Sequence, residues 1–223
     1  TGRVLSLITP DSQRTMLTYL GAAAEMVIDE IPPQHFQDSA VALIEGYLVY
    51  NRDLFRYAMQ TAHKAGARIA LDLASFTVVQ ENHQELKSII HQYVDILIAN
   101  EDEARAFTAQ EDETAALHAL ADQAELAVVK LGARGSLMAS GDQSIMVAPI
   151  EGGGVVDTTG AGDLWASGFL YGLVQGMPLE HCGHLASVCG FEVCRVIGAT
   201  IPEAGWQRIR QAAQYGDGLK EVS

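Results

Sequence analysis

The sequence is short of positive charge. It has 14 Lys and Arg against 28 Asp and Glu, giving a formal net charge of -14 and a pI of about 4.7. That balance excludes a general nucleic-acid binder or a protein of anionic membrane surfaces, because both need a basic footprint. It leaves room for a phosphate site, where backbone N–H groups and a metal offset the field locally. Cysteine is also scarce. Cys182, Cys189 and Cys194 share one stretch, are odd in number and lack CxxC spacing, which argues against a disulfide framework or a zinc centre. They read as small buried side chains of a reducing compartment. His35, His63, His83, His91 and His118 show no metal-ligand spacing and are expected at the surface. No apolar run is long enough to span a bilayer and no basic, apolar leader opens the sequence, so the expected location is cytoplasmic, without nucleic-acid or membrane partners.

What is present is ordinary globular material. The 223 residues are 48% hydrophobic and 19% charged, which fits one domain with one sizeable core. Apolar runs bounded by turn residues predict strands over 4–9, 14–20, 41–45, 68–72, 96–99 and 127–131, with a hairpin of 136–139 and 145–148 around Gly141-Asp142. Helical periodicity covers 52–65, 81–93, 101–107, 114–121, 161–175, 179–196 and 203–215. From Val41 onward strands and helices alternate, which predicts an α/β fold with a mostly parallel sheet and helices on both faces. Ligands of such sheets sit outside the carboxyl ends of the strands. Asp72, Asn100, Lys130 and Asp157 all fall at or just past predicted strand ends and are expected to converge on one crevice.

The most informative stretch is Asp157-Thr158-Thr159-Gly160-Ala161-Gly162-Asp163, followed by an apolar helical run. Gly160, Ala161 and Gly162 leave backbone N–H groups uncovered, and the helix points its positive end at the same place. Asp163, on the first turn, is suited to take a proton from a hydroxyl that attacks phosphorus. Asp and Gly before a helix are also common capping residues. Asn100 and Glu103 lie three apart at a helix start, on one face, where a capping box gives the same spacing. Gly132 and Gly135 allow a tight turn to run close to a ligand or simply close a hairpin, and Lys130 before them either reaches a phosphate or ends a strand in solvent.

These residues resemble the PfkB, or ribokinase-like, carbohydrate kinase family, in its adenosine-kinase-like branch of sugar kinases. The heptad matches the family signature D-T-x-G-A-G-D, and Asn100-x-x-Glu103 matches its N-x-x-E motif. The resemblance implies a ribokinase-like three-layer α/β sandwich with a mostly parallel central sheet, plus part of a β lid. It gives Asp163 the role of catalytic base and makes Gly160, Ala161 and Gly162 the anion hole. Asn100 and Glu103 then help place Mg²⁺ and the phosphates of ATP, Glu103 through water. Lys130, Gly132 and Gly135 border the nucleotide, and Gly198 and Ala199 bound the adenine pocket. His184 and Ser187, on the preceding helix, face the base or serve packing. Backbone carbonyls of Asp157 and Thr159 belong to a monovalent-cation loop, with K⁺ as the implied ion. The segment TPDSQRTMLTYLGAA resembles the family's lid hairpin, which brings Arg14 toward the phosphates or substrate on closure. The family's usual Asp-x-Asn reads Asp72-Leu73-Ala74 here.

The implied protein is an ATP-dependent phosphotransferase acting on a hydroxyl of a sugar or nucleoside, a homodimer through its lid strands. Its single kinase domain covers 1–223, with lid strands in 1–24 and the nucleotide and catalytic core in 40–223. The other reading is a catalytically silent sugar- or nucleotide-binding regulator on the same fold. A dinucleotide-dependent oxidoreductase fails on the motif, which continues Leu164-Trp165 instead of reaching a third glycine. The family's Gly-Gly signature and the Asp that holds sugar hydroxyls have no counterpart before Asp157. The isolated 223-residue chain is therefore expected to be poorly soluble or without kinase turnover.

Overall fold

The computed structural model describes residues 2–9 and 14–215. Pro10, Asp11, Ser12 and Gln13 of the expected lid turn, and the side chain of Arg14, lie outside the described residues. Residue contacts divide the chain into two compact units, Ala24–Met146 and a second made of Thr1–Ala23 with Val147–Ser223.

The first unit is built on a sheet of order β3-β4-β5-β6-β7-β8. Its strands are β3 (Val41–Glu45), β4 (Arg68–Asp72), β5 (Ile96–Asn100), β6 (Leu126–Lys130), β7 (Ser136–Ser140) and β8 (Gln143–Val147). β3 to β6 pair in parallel, and β7 returns antiparallel to β6. Ile69, Ala70 and Leu71 of β4, Ile96 to Ala99 of β5, and Leu126 to Val129 of β6 are all buried. Such unbroken apolar runs are the mark of parallel strands covered on both faces. Alternate residues, Ile69, Leu71, Leu97, Ala99, Ala127 and Val129, join one core with α1 (Arg52–Lys64), α2 (Phe76–Tyr93), α3 (Glu101–Thr108) and α4 (Glu113–Ala121).

The helices begin where side-chain caps allow. Asn51 accepts from the Leu54 N–H and donates to the Met26 carbonyl at the start of α1. Asp112 accepts from Ala115 N–H ahead of α4. α2 begins at Phe76, earlier than the helical periodicity of 81–93 suggests, because Ser75 caps it through the Val78 N–H and Val78 and Val79 are buried in the core. Asn82 then departs from helical geometry inside α2, with its amide donating to the Val78 carbonyl. His83, expected at the surface, is half-buried, with its ring 5.2 Å from that of Phe107 and Nε2 2.9 Å from the Phe107 carbonyl oxygen.

The second unit contains the hairpin β1 (Arg3–Ile8) and β2 (Arg14–Tyr19) and the helices α5 (Ala161–Val174), α6 (Leu179–Cys194) and α7 (Glu203–Tyr215). α5 and α6 pack backbone to backbone. A Cβ on Gly168 would stand 2.8 Å from Cys189 Sγ, and one on Gly172 would stand 3.0 Å from the Cys182 Cα. Cys182 and Cys189 thus serve as small core side chains, and burial pushes both thiols up to about 11. Glu192 of α6 is buried and held by Arg208 of α7 through two hydrogen bonds of 2.6 Å. Among the described residues no helix is long and apolar enough to cross a membrane.

One glycine fixes the working edge of the sheet. Gly46, directly after β3, is buried, and a Cβ there would meet the Leu73 carbonyl oxygen at 2.7 Å and the Asp72 carbonyl oxygen at 3.1 Å. Both opposing atoms are backbone, so they yield only if the end of β4 moves. Gly46→Ala is expected to lower stability by about 1–3 kcal/mol, the usual range for overpacking; urea unfolding of the variant beside the wild type measures it.

Candidate functional site

The parallel register brings the polar strand ends together. Glu45 lies opposite Asp72, Asp72 opposite Ile98, and Asn100 opposite Lys130. Lys130 Nζ reaches over the end of β5 to Asp72 Oδ2 at 2.7 Å, with side chains 14% and 13% exposed. The other oxygen of Asp72 accepts from the Ala74 N–H at 3.1 Å. Ala74 has a φ of 68°, the left-handed region that Asn tolerates better than Ala. The third position of the family's Asp-x-Asn thus keeps the turn while losing the residue type that suits it.

Asn100 and Glu103 form a closed pair at the start of α3. Asn100 Oδ1 accepts from the Glu103 N–H at 2.9 Å, and the Asn100 N–H and Nδ2 donate to the two Glu103 oxygens at 2.8 and 2.7 Å. Glu103 is only 2% exposed. Burial pushes its carboxyl up to about 7; the Lys130 ammonium opposes that rise and the Asp72 carboxylate adds to it. The capping box and the candidate site are therefore the same atoms.

The turn after β6 is open at its first glycine. Gly132 and Gly135 have φ of 56° and 95°, and a Cβ on Gly132 would meet nothing within 4 Å. The Leu131 N–H donates to the Gly135 carbonyl, and the Arg134 N–H to that of Leu131. Sequence reading passed over Arg134, whose guanidinium binds Glu113 at 2.6 and 2.9 Å and Glu101 at 3.3 Å, tying the turn to α3 and α4. No local spacing signals those partners, which lie 21 and 33 residues away.

In the other unit the heptad is anchored by a buried carboxylate. Asp157 is 1% exposed; Oδ1 accepts from the Thr159 N–H and hydroxyl, at 2.9 and 2.7 Å, and Oδ2 accepts from the Gly198 N–H at 2.8 Å. The N–H groups of Val156 and Asp157 both donate to the Cys194 carbonyl at the end of α6. Gly160 follows with a φ of 77°, and a Cβ on it would stand 3.0 Å from that of Ala199. Asp157 thus joins the 198–199 turn to the Gly160 turn. The Ala161 N–H is engaged by the Thr158 carbonyl at 3.2 Å. Asp163 is exposed on the first turn of α5, and Gly160, the helix N-cap, supplies no side-chain cap. On α6, the Ser187 hydroxyl donates to the Gly183 carbonyl and is buried, which is packing; His184 is exposed.

Of the four residues expected to converge, Asp72, Asn100 and Lys130 meet at one sheet edge, with Glu103 beside Asn100, and Asp157 lies in the other unit. Asp157, Gly160, Ala161, Gly162, Asp163, Gly198 and Ala199 belong to the second unit. Among the described residues no cluster of three His, Cys, Asp or Glu side chains is arranged to hold a metal by itself. The strand-end oxygens suit Mg²⁺ that arrives with phosphates and keeps its waters, since such an ion needs only one or two carboxylates.

Comparison with known proteins agrees in family and fold. The family model of pfkB family carbohydrate kinases matches residues 1–204. The structure of an adenosine kinase from Sinorhizobium meliloti superposes with a TM-score of 0.90 at 35% identity, over 95% of this chain and 66% of that one. A probable sugar kinase from Rhizobium etli does so with a TM-score of 0.90 at 32% identity, over the same shares. A curated relative, an uncharacterized sugar kinase of Archaeoglobus fulgidus, is 36% identical over 47% of this chain and 41% of its own length. The chain therefore spans well under the full length of these relatives. The fold is α/β, a mostly parallel central sheet with helices on both sides, as in these ribokinase-like structures.

Glu103 has a pH signature. Its carboxyl titrates near 4.5 when unfolded and about 7 when folded, so between those values the native state holds the extra proton. The stabilisation is complete below pH 4.5 and is lost as pH rises through 7. The unfolding free energy of wild type minus that of Glu103→Gln should accordingly fall over that interval and level off above it. Urea titrations across the range measure this, and a flat difference would count against a protonated native Glu103.

Proposed function

The chain belongs to the pfkB family of carbohydrate kinases, and from that premise we propose that it carries the phosphate-transfer machinery of an ATP-dependent kinase acting on a hydroxyl of a sugar or nucleoside. The observation that carries this reading is Asp163: an exposed carboxylate on the first turn of α5, next to a glycine turn held in the left-handed region. Asp163 takes the proton of the acceptor hydroxyl as its oxygen bonds to the γ-phosphorus and the bond from that phosphorus to the leaving ADP oxygen breaks. The N–H groups of Gly160 and Gly162, with the positive end of α5, face the charge on the phosphoryl group in transfer. Ala161 contributes shape, because its N–H is already committed within the turn.

Asn100, Lys130, Gly132 and Gly135 serve the nucleotide at the sheet edge, and Gly198 and Ala199 border its base. Mg²⁺ supplies charge neutralisation of the phosphates when it arrives with the nucleotide; Glu103 and Asp72 would hold it through water. The backbone carbonyls of Asp157 and Thr159 suit K⁺. Arg14 approaches the phosphates or substrate as the lid closes. The exposed Leu5, Leu17 and Tyr19 of the β1–β2 hairpin favour pairing with the hairpin of a second copy, since a two-stranded hairpin is marginal alone. All of this belongs to one kinase domain, lid strands included, working in the cytoplasm.

A coupled assay over a panel of sugars and nucleosides, run on the full protein, identifies the acceptor. With that acceptor, Asp163→Asn should lower kcat by about 10²–10⁴-fold, with little change in ATP affinity, as expected for loss of a general base. Wild-type turnover in that variant, or ATP binding without any phosphorylated product from the parent protein, would instead favour the silent binding protein.

A further inference from the structure

We propose that Asp72 is a built-in stand-in for a nucleotide phosphate, holding the Lys130 ammonium at the strand ends until an anionic ligand displaces it. This rests on the kinase reading above and adds a competitor inside the site. Lys130 ends β6 and Asp72 ends β4, with β5 between them, so the lysine folds back over the end of β5 to make its 2.7 Å contact. The pair is not needed to hold those strands. Ala70, Leu71 and Asp72 of β4 already pair with β5, and Ile96 to Asn100 of β5 pair with β6 along its whole length. Asp72 is itself kept in place by the Ala74 N–H, so the carboxylate is a fixed acceptor and the lysine is the mobile partner.

The location matters. The carboxyl ends of parallel strands are where ligands of such sheets bind. Lys130 is followed directly by the open Gly132 turn, where nothing fills the space a Cβ would occupy. The Asp72 carboxylate already sits on the one ammonium there, so the resting edge offers an incoming phosphate no net positive charge. The pair is 14% and 13% exposed, so neither partner is fully cut off from solvent, and a phosphate with two charges outcompetes a single carboxylate for the ammonium. Asp72 would then set a threshold: weak anions leave Lys130 tethered, and a nucleotide polyphosphate draws it off.

The test is ADP binding to the full chain by titration calorimetry, with EDTA present to remove any divalent-ion contribution. Asp72→Asn keeps an acceptor for the Ala74 N–H and removes the competing charge, so ADP should bind about 5–20-fold tighter, a coupling of ordinary size. Lys130→Met should weaken binding, and the double variant should match Lys130→Met, since the gain acts through the lysine. A purely structural role for the pair would move neither the sign nor this dependence. Asp72→Ser is read against the same expectations should Asp72→Asn not fold. Binding to Asp72→Asn that equals or falls below wild type, or a tightening that survives in the Lys130→Met background, overturns the proposal alone. Absence of ADP binding by wild type and every variant overturns it together with the kinase reading.

Discussion

In a parallel sheet buried on both faces, polar side chains have one outlet: the strand ends. β4, β5 and β6 are apolar and buried from Ile69 to Leu71, Ile96 to Ala99 and Leu126 to Val129. Polarity resumes at the next residue of each, Asp72, Asn100 and Lys130. Parallel pairing puts those three positions at one edge, and register brings Asn100 directly opposite Lys130. The rest of the candidate site follows from this. Lys130 can reach Asp72 by folding back over β5, since β4 ends two residues before β5 and β6, Asn100 can cap α3 because β5 stops there, and Gly46 must lack a side chain because β3 turns away against the end of β4. Shifting β6 by one residue would turn Lys130 to the opposite face of the sheet and break its contact with Asp72.

The same physics explains what the sequence made legible. Buried parallel strands are short, apolar and closed by turn residues, so their positions and type can be read directly, and β3 and β4 fall where the pattern puts them. The heptad is legible because it combines several constraints in seven residues: a positive-φ glycine, small neighbours and a carboxylate one turn into a helix. Partners distant in sequence are not legible. Lys130 and Asp72 lie 58 residues apart, Asp157 and Gly198 lie 41 apart, and no local spacing announces either contact. The first turn of α2 escaped for another reason. Thr77, Val78 and Val79 are β-branched and disfavour helix by propensity, yet burial of Val78 and Val79 in the core outweighs that preference.

Under the proposed kinase function, the two groups of residues answer one electrostatic problem differently. A chain of net charge -14 repels phosphate at long range, so attraction has to come from fixed local donors. At the sheet edge the proposed donor is the Lys130 cation balanced by the Asp72 carboxylate, neutral at rest and available by exchange. At the heptad it is uncharged backbone whose geometry is over-determined. Asp157 binds three donors on two turns, and Gly160 sits against Ala199 with no space for a side chain. Dipoles held that firmly need no reorganisation when charge develops nearby, which is the condition under which they stabilise a transition state most. The buried Asp157 carboxylate therefore acts through order: its charge is taken up by N–H and O–H groups, and what it delivers to the exposed Asp163 is a turn with one shape.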